Sequence, residues 1–182
     1  MRPSVAWLLV VLAGGCKHPD ATGTAPPAVD LSIAVPAEGG GVVLHAYAAG
    51  TQGYACSAGA NGTYAWTLTG PEAELHDERG GLIGHHFASE PNGAAPEWEG
   101  LDRSYVVGQK VAAFTPDGGG QAVPWLLLRA VAHGGSGPLA SARYVQRVAT
   151  RGGLAPAAAC DASIAGTKER VAYTAEYFFY GP

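Results

Sequence analysis

The sequence has few charged residues and no excess of positive charge. Only 14% of its 182 residues are charged, and the formal net charge at pH 7 is −4. A nucleic-acid-binding domain needs a basic stripe or patch, and this composition lacks the surplus of Lys and Arg that would build one. The composition therefore argues against a nucleic-acid partner. Hydrophobic residues make up 47% of the chain, so a core can form under a surface of small, uncharged residues.

Long hydrophobic runs are missing as well. The apolar run from Val5 to Ala13 is far too short to span a bilayer, which needs about 20 apolar residues. It matches the hydrophobic region of a secretory signal. The AGGC tetrapeptide at 13–16 resembles a bacterial lipobox, although Leu12 stands one position earlier than the usual leucine. The leader therefore predicts a lipoprotein lipidated at Cys16, with a plain secretory signal or a buried N-terminal strand as alternatives.

These features divide the chain into three parts. We expect a signal peptide over 1–15, a lipid-anchored cysteine with a disordered tether over 16–30, and one β domain over 31–182. The tether is polar, small and rich in proline, so it has nothing to bury. Lys17 directly follows the cysteine, and by analogy a non-acidic residue there indicates the outer membrane. The expected location is a bacterial outer-membrane or periplasm-facing lipoprotein, otherwise a secreted protein, with the membrane as partner through the lipid on Cys16.

No stretch combines a sustained helical period with caps. Glycine (27 residues) and proline (13 residues) occur at about twice their usual share, and both weaken helix interiors. Apolar and polar residues instead alternate in segments separated by turn residues. This pattern predicts an all-β fold, an antiparallel β-sandwich or barrel of about eight short strands with long loops. The predicted strands are 31–35, 42–49, 63–69, 80–88, 104–114, 123–132, 142–150 and 170–180.

Two of these segments predict which side chains face the core. In 63–69, Tyr64, Trp66 and Leu68 share one face. In the last segment every second residue points inward. Those residues are Val171, Tyr173, Ala175, Tyr177 and Phe179. The segment 142–150 also suits a helical face, so a helix remains the alternative there.

Three cysteines cannot all pair with one another. If Cys16 carries lipid, Cys56 and Cys160 remain, and an oxidising compartment favours a disulfide between them. The alternative is a pair of reactive thiols. Neither cysteine lies in a Cys-x-x-Cys motif or next to a histidine, which argues against reactivity.

Several catalytic motifs are absent or incomplete. The sequence has no P-loop and no H-E-x-x-H motif. Residues 135–140 match the glycine pattern of a dinucleotide-binding turn, but Pro138 and a predicted strand follow where a helix is required. The serine at 136 lacks the final glycine of a nucleophile elbow. We therefore expect no nucleotide partner and no cofactor.

A cluster of histidines and acids is the best candidate for chemistry. Seven such residues lie within residues 76–102: His76, Asp77, His85, His86, Glu97, Glu99 and Asp102. Imidazole and carboxylate ligands suit Zn²⁺, and an open coordination position would permit hydrolysis. The metal candidates are His85, His86 and Glu97, and the catalytic candidates are His85, His86 and Asp102. In a strand the two adjacent histidines face opposite sides, so only one can join a given site. The alternative is a packed, hydrogen-bonded histidine beside solvated acids.

Two further groups are candidates for binding. Trp98 between Glu97 and Glu99 could form a carbohydrate platform, or it could be a half-buried tryptophan with a satisfied indole N–H. Arg147 with its neighbours Gln146 and Arg151 could hold an anion. The alternative, which we favour, is an ion pair between Arg147 and a buried acid on the last strand, Glu176.

Charge is unevenly distributed along the chain. Residues 72–102 carry eight acids and one base, whereas residues 129–170 carry six bases and two acids. The two regions could pair across one fold, since charge runs usually form solvated faces. The acidic region could instead form a rim around a cation site.

Four segments, taken in order, resemble the family known as domain of unknown function 3455. They are GYACSAGANGTYAWTLTGPEAELHDERGGLIGHHF, PEWEGLDRSYVVGQKVA, VPWLLLRAVAHGGSGPLASARYVQRVATRGGLAP and CDASIAGTKERVAYTAEYFFYG, which together cover roughly 40–181. The resemblance implies an exported protein with no established activity. It carries over a set of family-pattern positions: Cys56, Trp66, His85 or His86, Trp98, Asp102, Ser104, Gln146, Arg147, Gly152, Gly153 and Cys160. The chain departs from the family at Arg103, where members tend to have glycine, and in a longer loop over 90–96.

The residues and the resemblance together predict an exported, lipid-anchored β domain of the cell envelope. Its expected role is a non-catalytic binding or structural module, with a carbohydrate or another envelope ligand as partner through Trp98, Glu97, Glu99, Ser104 and Arg147. The alternative is a small envelope enzyme that uses a His/carboxylate site, with or without a metal.

Overall fold

The computed structural model of the protein describes residues 25–89, 95–116 and 120–182. The signal peptide, Cys16, most of the tether and much of the 90–96 loop therefore lie outside the described residues. Within the described residues, no helix has the length and apolar character needed to cross a membrane.

Eight antiparallel strands form a closed barrel in which strand order follows chain order. The strands are β1 Gly41–Ala58, β2 Tyr64–His76, β3 Leu82–Ser89, β4 Ala95–Gly100, β5 Tyr105–Phe114, β6 Trp125–Gly134, β7 Tyr144–Gly152 and β8 Lys168–Gly181. The last strand pairs with the first and completes the ladder. This confirms the all-β prediction and selects the barrel over the sandwich. Three strands are longer than predicted, since β1 has 18 residues, β2 has 13 and β8 has 14, and β4 has no counterpart among the predicted strands.

The up-and-down order gives the barrel two distinct ends. The loops 59–63 and 153–167, with the described residues 115–116 and 120–124, lie at one end, which we call the upper end. The loops 77–81, 101–104 and 135–143 meet at the lower end. There a 3₁₀ turn, Pro138–Ser141, packs against β1, β4, β5, β6 and β8 and buries Leu139. Leu139 therefore plugs the lower end.

The barrel interior contains the main core. On β8, Tyr173, Ala175, Tyr177 and Phe179 alternate inward and are all buried, which confirms the predicted phase of this strand. Trp98 from β4 fills the middle of the interior, with its ring edge-on to Tyr177 and Phe179. These side chains make the aromatic centre of the fold.

A glycine gives the tryptophan its space. A Cβ atom added at Gly108 of β5 would lie 3.0 Å from the indole of Trp98 and 3.2 Å from Leu128. Any larger residue at 108 would push the ring or the opposing leucine out of place. The glycine in this strand thus marks a close approach rather than a turn.

The N-terminal segment covers part of the outside of the barrel. Val29 and Val35 pack with Phe178 and Tyr180 in a second apolar cluster on the outer face of β7 and β8. The Gln146 amide donates to the Ile33 carbonyl at 2.7 Å. This cover explains why Phe178 and Tyr180 are buried as well as the inward residues of β8.

The predicted strand at 31–35 is wrong. Leu31–Ile33 is a 3₁₀ turn, because the Asp30 carboxylate accepts hydrogen bonds from both the N–H and the hydroxyl of Ser32. Such local side-chain bonds compete with a strand ladder. The segment 142–150 is a strand, β7, and the helical alternative does not occur.

The β1–β2 hairpin extends past the barrel body. The prediction that Tyr64, Trp66 and Leu68 of β2 face the core is therefore wrong for this part of the strand. Leu68 is 54% exposed, and Trp66 is only partly buried, with its indole N–H donating to the Ala158 carbonyl at 2.8 Å.

The predicted disulfide is present at this end of the barrel. Cys56 and Cys160 are bonded, with their Cα atoms 5.5 Å apart. The bond ties the 153–167 loop to β1 at the upper end.

The oppositely charged regions of the chain meet at the surface. The Arg170 guanidinium lies 2.5 Å from the Glu72 carboxylate, and both side chains are exposed. This contact supports pairing of the two regions, although an exposed pair of this kind contributes at most about 1 kcal/mol.

Candidate functional site

A cavity of about 410 Å³ lies inside the barrel at its upper end. Its walls come from inward residues of all eight strands and from the loops that carry Pro124 and Leu154. A barrel of eight strands is wide enough either to be filled by its own side chains or to hold one small ligand. The volume falls in the range of small-molecule sites. The cavity is therefore the candidate site.

The floor of the cavity is a stacked pair of rings. His86 and Trp98 lie directly opposite each other on β3 and β4, with ring centroids 4.4 Å apart and planes 1° from parallel. His86 Nδ1 lies 2.8 Å from the Glu97 carbonyl, which can only accept, so Nδ1 carries the proton and Nε2 is an acceptor. Burial lowers the pKa of His86 to about 3, so the ring is neutral at physiological pH.

Two buried donors in the cavity wall have no hydrogen-bond partner among the described residues. They are Gln52 Nε2 and Trp98 Nε1, on side chains that are 2% and 1% exposed. A buried donor without a partner costs about 1–3 kcal/mol. Native proteins rarely tolerate such donors without a water or a ligand that satisfies them.

The cavity carries positive charge. Arg147 and Lys110 line it, and no Asp or Glu does so among residues 25–89, 95–116 and 120–182. Arg147 donates through Nε and Nη2 to the Pro124 carbonyl, at 3.2 and 2.8 Å. In the described part of the chain the guanidinium has no carboxylate partner.

Tyrosine hydroxyls surround the arginine. Tyr54 donates to the Gly153 carbonyl at 2.7 Å, and the Tyr173 and Tyr177 hydroxyls lie 3.4 Å apart. Burial raises the pKa of all three, and the positive charge of Arg147 acts in the opposite direction. They are therefore neutral hydroxyl groups at physiological pH.

The mouth of the cavity is apolar. Leu68 of β2 and Leu154 of the 153–167 loop line it and remain 54% and 39% exposed, with Pro71 and Pro96 beside them. The disulfide fixes the loop that carries Leu154. The site thus changes from a neutral aromatic floor and a wall that carries Arg147 to an apolar entrance.

The structure does not bring the predicted catalytic and metal residues together. His85 is exposed on the outer face, where it pairs opposite Glu99, whereas His86 faces the cavity. Glu97, two residues before Glu99 on β4, lies on the same outer face. Among the described residues, no three His, Cys, Asp or Glu side chains lie close enough to hold one ion.

Asp102 and Ser104 lie in the β4–β5 turn at the lower end, opposite the mouth of the cavity. The Asp102 carboxylate accepts from the Ser104 hydroxyl at 2.7 Å and from its N–H at 2.9 Å. These bonds, with the hydroxyl first, lower the pKa of Asp102. The pair stabilises a turn, so Asp102 and His86 do not converge.

The predicted carbohydrate platform does not form at the surface. Trp98 is 1% exposed and points into the barrel, while Glu97 and Glu99 face outward. Of this group only Trp98 belongs to the cavity.

The predicted ion pair between Arg147 and Glu176 is wrong. Arg147 points into the barrel, whereas Glu176 lies on the outer face and contacts His45 Nε2 at 3.1 Å. Gln146 and Arg151 do not line the cavity either. Arg147 therefore remains without the acid that the sequence suggested for it.

Sequence reasoning missed Gln52 and Lys110. Gln52 shares the inward phase of Ala46, Ala48 and Tyr54 on β1, all of them buried, so a polar residue in that phase was an available signal. Lys110 gave a weaker signal: it shares the phase of Val106 and Gly108, but an extra residue, Val111, shifts the phase of β5 directly after it.

Comparison with known proteins gives one match. A family model described as "Protein of unknown function (DUF3455)" matches residues 36–181. No curated protein and no solved structure matches the chain.

Proposed function

This chain belongs to the DUF3455 family, and on that basis we propose that it is an exported, lipid-anchored cell-envelope module that binds a small ligand inside its barrel. The family description names no activity, so the proposal depends on the cavity.

One observation carries the binding role. Two buried donors, Gln52 Nε2 and Trp98 Nε1, line an accessible cavity without a partner among the residues that the structure describes. A barrel with only a structural role has no reason to leave these groups unsatisfied next to empty space, because a larger apolar side chain would fill it. A ligand with acceptor atoms would satisfy both donors.

The cavity groups suit binding better than catalysis. A general acid or base works best when its pKa lies near the working pH. Burial moves the pKa of His86 to about 3 and raises that of Tyr177 above its ordinary value. Neither group exchanges protons readily near neutral pH, which supports a non-catalytic module.

The disulfide supports export. Disulfides persist in oxidising compartments and are rare in the cytosol. The bond between Cys56 and Cys160 therefore agrees with the secretory leader. Lipidation of Cys16 would hold the barrel at the bacterial outer membrane or facing the periplasm, and cleavage as a plain signal would secrete it.

A neutral fluorescent dye tests the binding role. We expect aminoanthracene to bind the mature protein with a stoichiometry of one and an enhanced emission. Ala113→Trp, which places an indole in the cavity wall, should abolish binding. The matched control Val131→Trp changes an exposed residue that does not line the cavity, and it should bind like the wild type. Absence of saturable binding, or equal binding by the two variants, would refute the proposal.

A further inference from the structure

The charge of the cavity differs in sign from that of the protein. The chain has a formal net charge of −4, yet the described ionised residues that line the cavity are Arg147 and Lys110. An arginine inside a barrel normally has an acid beside it, because an unpaired buried charge is costly. Among the described residues the acceptors of half-buried Arg147 are neutral oxygens, the Pro124 carbonyl and the Tyr177 hydroxyl, and neutral oxygens leave the charge uncompensated.

Two buried atoms of the same cavity lack a partner among the described residues, and both are donors: Gln52 Nε2 and Trp98 Nε1. Each has a hydrogen to give and no acceptor there at hydrogen-bond distance. A carboxylate has two oxygens that accept several hydrogen bonds and no hydrogen to donate. It also matches the planar fork of a guanidinium. An anionic group that accepts hydrogen bonds would therefore compensate the charge of Arg147 and also pair with the two donors.

The remaining lining residues of the cavity favour a ligand whose body is apolar. Leu68, Leu126 and Leu154 line the wall and mouth, so a second charged group on the ligand would be poorly solvated there. At ~30 Å³ for each water-sized group, the volume of about 410 Å³ accommodates roughly 14 non-hydrogen atoms. This is the size of a medium-chain carboxylic acid.

We propose that the ligand is a medium-chain organic carboxylate, bound with its carboxylate against Arg147, Gln52 and Trp98 and its apolar chain toward the mouth. This inference rests on the proposed binding function and adds the class of ligand. Lys110 contributes to the positive potential that attracts the anion.

Three ligands of equal chain length provide the test: decanoate, decanamide and decylamine. Each is titrated calorimetrically into the mature protein and also competed against aminoanthracene. We expect decanoate to bind about tenfold or more tightly than decanamide, because the carboxylate makes charge-assisted hydrogen bonds. Decylamine should bind most weakly, since its ammonium meets cations and donors.

Substitutions at the arginine locate the effect. Arg147→Met keeps an unbranched, flexible side chain but removes the charge and the donors, and it should remove the preference for decanoate over decanamide. Arg129→Met removes an exposed arginine that does not line the cavity, and it should leave the preference unchanged. If Arg147→Met fails to fold, Arg147→Lys keeps the charge without the planar fork and should show a reduced preference.

The outcomes separate the two proposals. If aminoanthracene and all three ligands fail to bind, the binding function fails and this inference fails with it. If the dye binds and the affinity for decanamide equals that for decanoate, the binding function stands and the carboxylate inference is refuted. Persistence of the preference in Arg147→Met would also refute it.

Discussion

Acid should destabilise the barrel through one buried histidine. His86 is enclosed by Trp98, Tyr177 and the positive charge of Arg147, with no acid lining the described part of its cavity. Burial, with a smaller contribution from the arginine, lowers its pKa from 6.5 to about 3, while the hydrogen bond to the Glu97 carbonyl acts in the opposite direction. The unfolded chain therefore takes up a proton at a pH where the folded protein does not.

The sign and size of the effect follow from this difference. Because the folded pKa of His86 is depressed, its contribution to the free energy of unfolding is fully present above the unfolded pKa of 6.5. It is lost as the pH falls toward 3. At 1.36 kcal/mol for each pKa unit the whole contribution is about 5 kcal/mol. About 2 kcal/mol of it is lost between pH 7 and pH 5.

Urea unfolding at pH 7 and pH 5, followed by tryptophan fluorescence, measures the loss. The variant His86→Phe keeps a flat ring against Trp98 and cannot take up the proton, so it should lose about 2 kcal/mol less than the wild type over this interval. The matched control is His85→Phe, which changes the exposed neighbour on the same strand and should behave like the wild type. An equal loss of stability in His86→Phe and wild type would refute the reasoning.

Two further predictions concern the cysteines. Replacing both Cys56 and Cys160 by alanine opens a covalent loop with a sequence separation of 104 residues, and it should reduce the free energy of unfolding by about 3 kcal/mol. Thermal melts should show a fall in Tm of roughly 10 °C; an unchanged midpoint would contradict the disulfide's stabilising role. Cys16→Ser, expressed in a bacterium that processes lipoproteins, should move the protein from the membrane fraction to the soluble fraction. Unchanged partitioning would exclude the lipid anchor.

The parts of the fold that could be predicted from sequence depend on local patterns. The alternation from Tyr173 to Phe179 identifies β8 and its inward face, since the period of a strand is short and β8 is regular there. The segment at 31–35 has a similar apolar alternation, yet the Asp30–Ser32 hydrogen bonds turn it into a 3₁₀ helix. The alternation of apolar residues does not reveal that these side-chain hydrogen bonds compete with strand pairing.

The cavity is harder to predict because it depends on register between distant strands. Gln52, Lys110 and Arg147 come from β1, β5 and β7, and nothing in their sequence spacing shows that they meet. Extra residues in β2, opposite Gly53/Tyr54 of β1, and in β5, next to Lys110, decide which residues of those two strands face inward. The assumption that a strand arginine pairs with an acid also misled the assignment of Arg147, because its facing neighbours are aromatic and aliphatic.

Closure of the ladder has a consequence for how copies of this protein can coexist at high density. An open sheet presents unpaired N–H and C=O groups along its edge strands, and these groups invite a neighbouring chain to add a strand. Here β8 returns to β1, so neither flank of the sheet is left free. The thinnest seam joins β4 to β5 through three residue pairs, from Glu97–Val107 to Glu99–Tyr105. Self-association by strand addition would first have to open that seam.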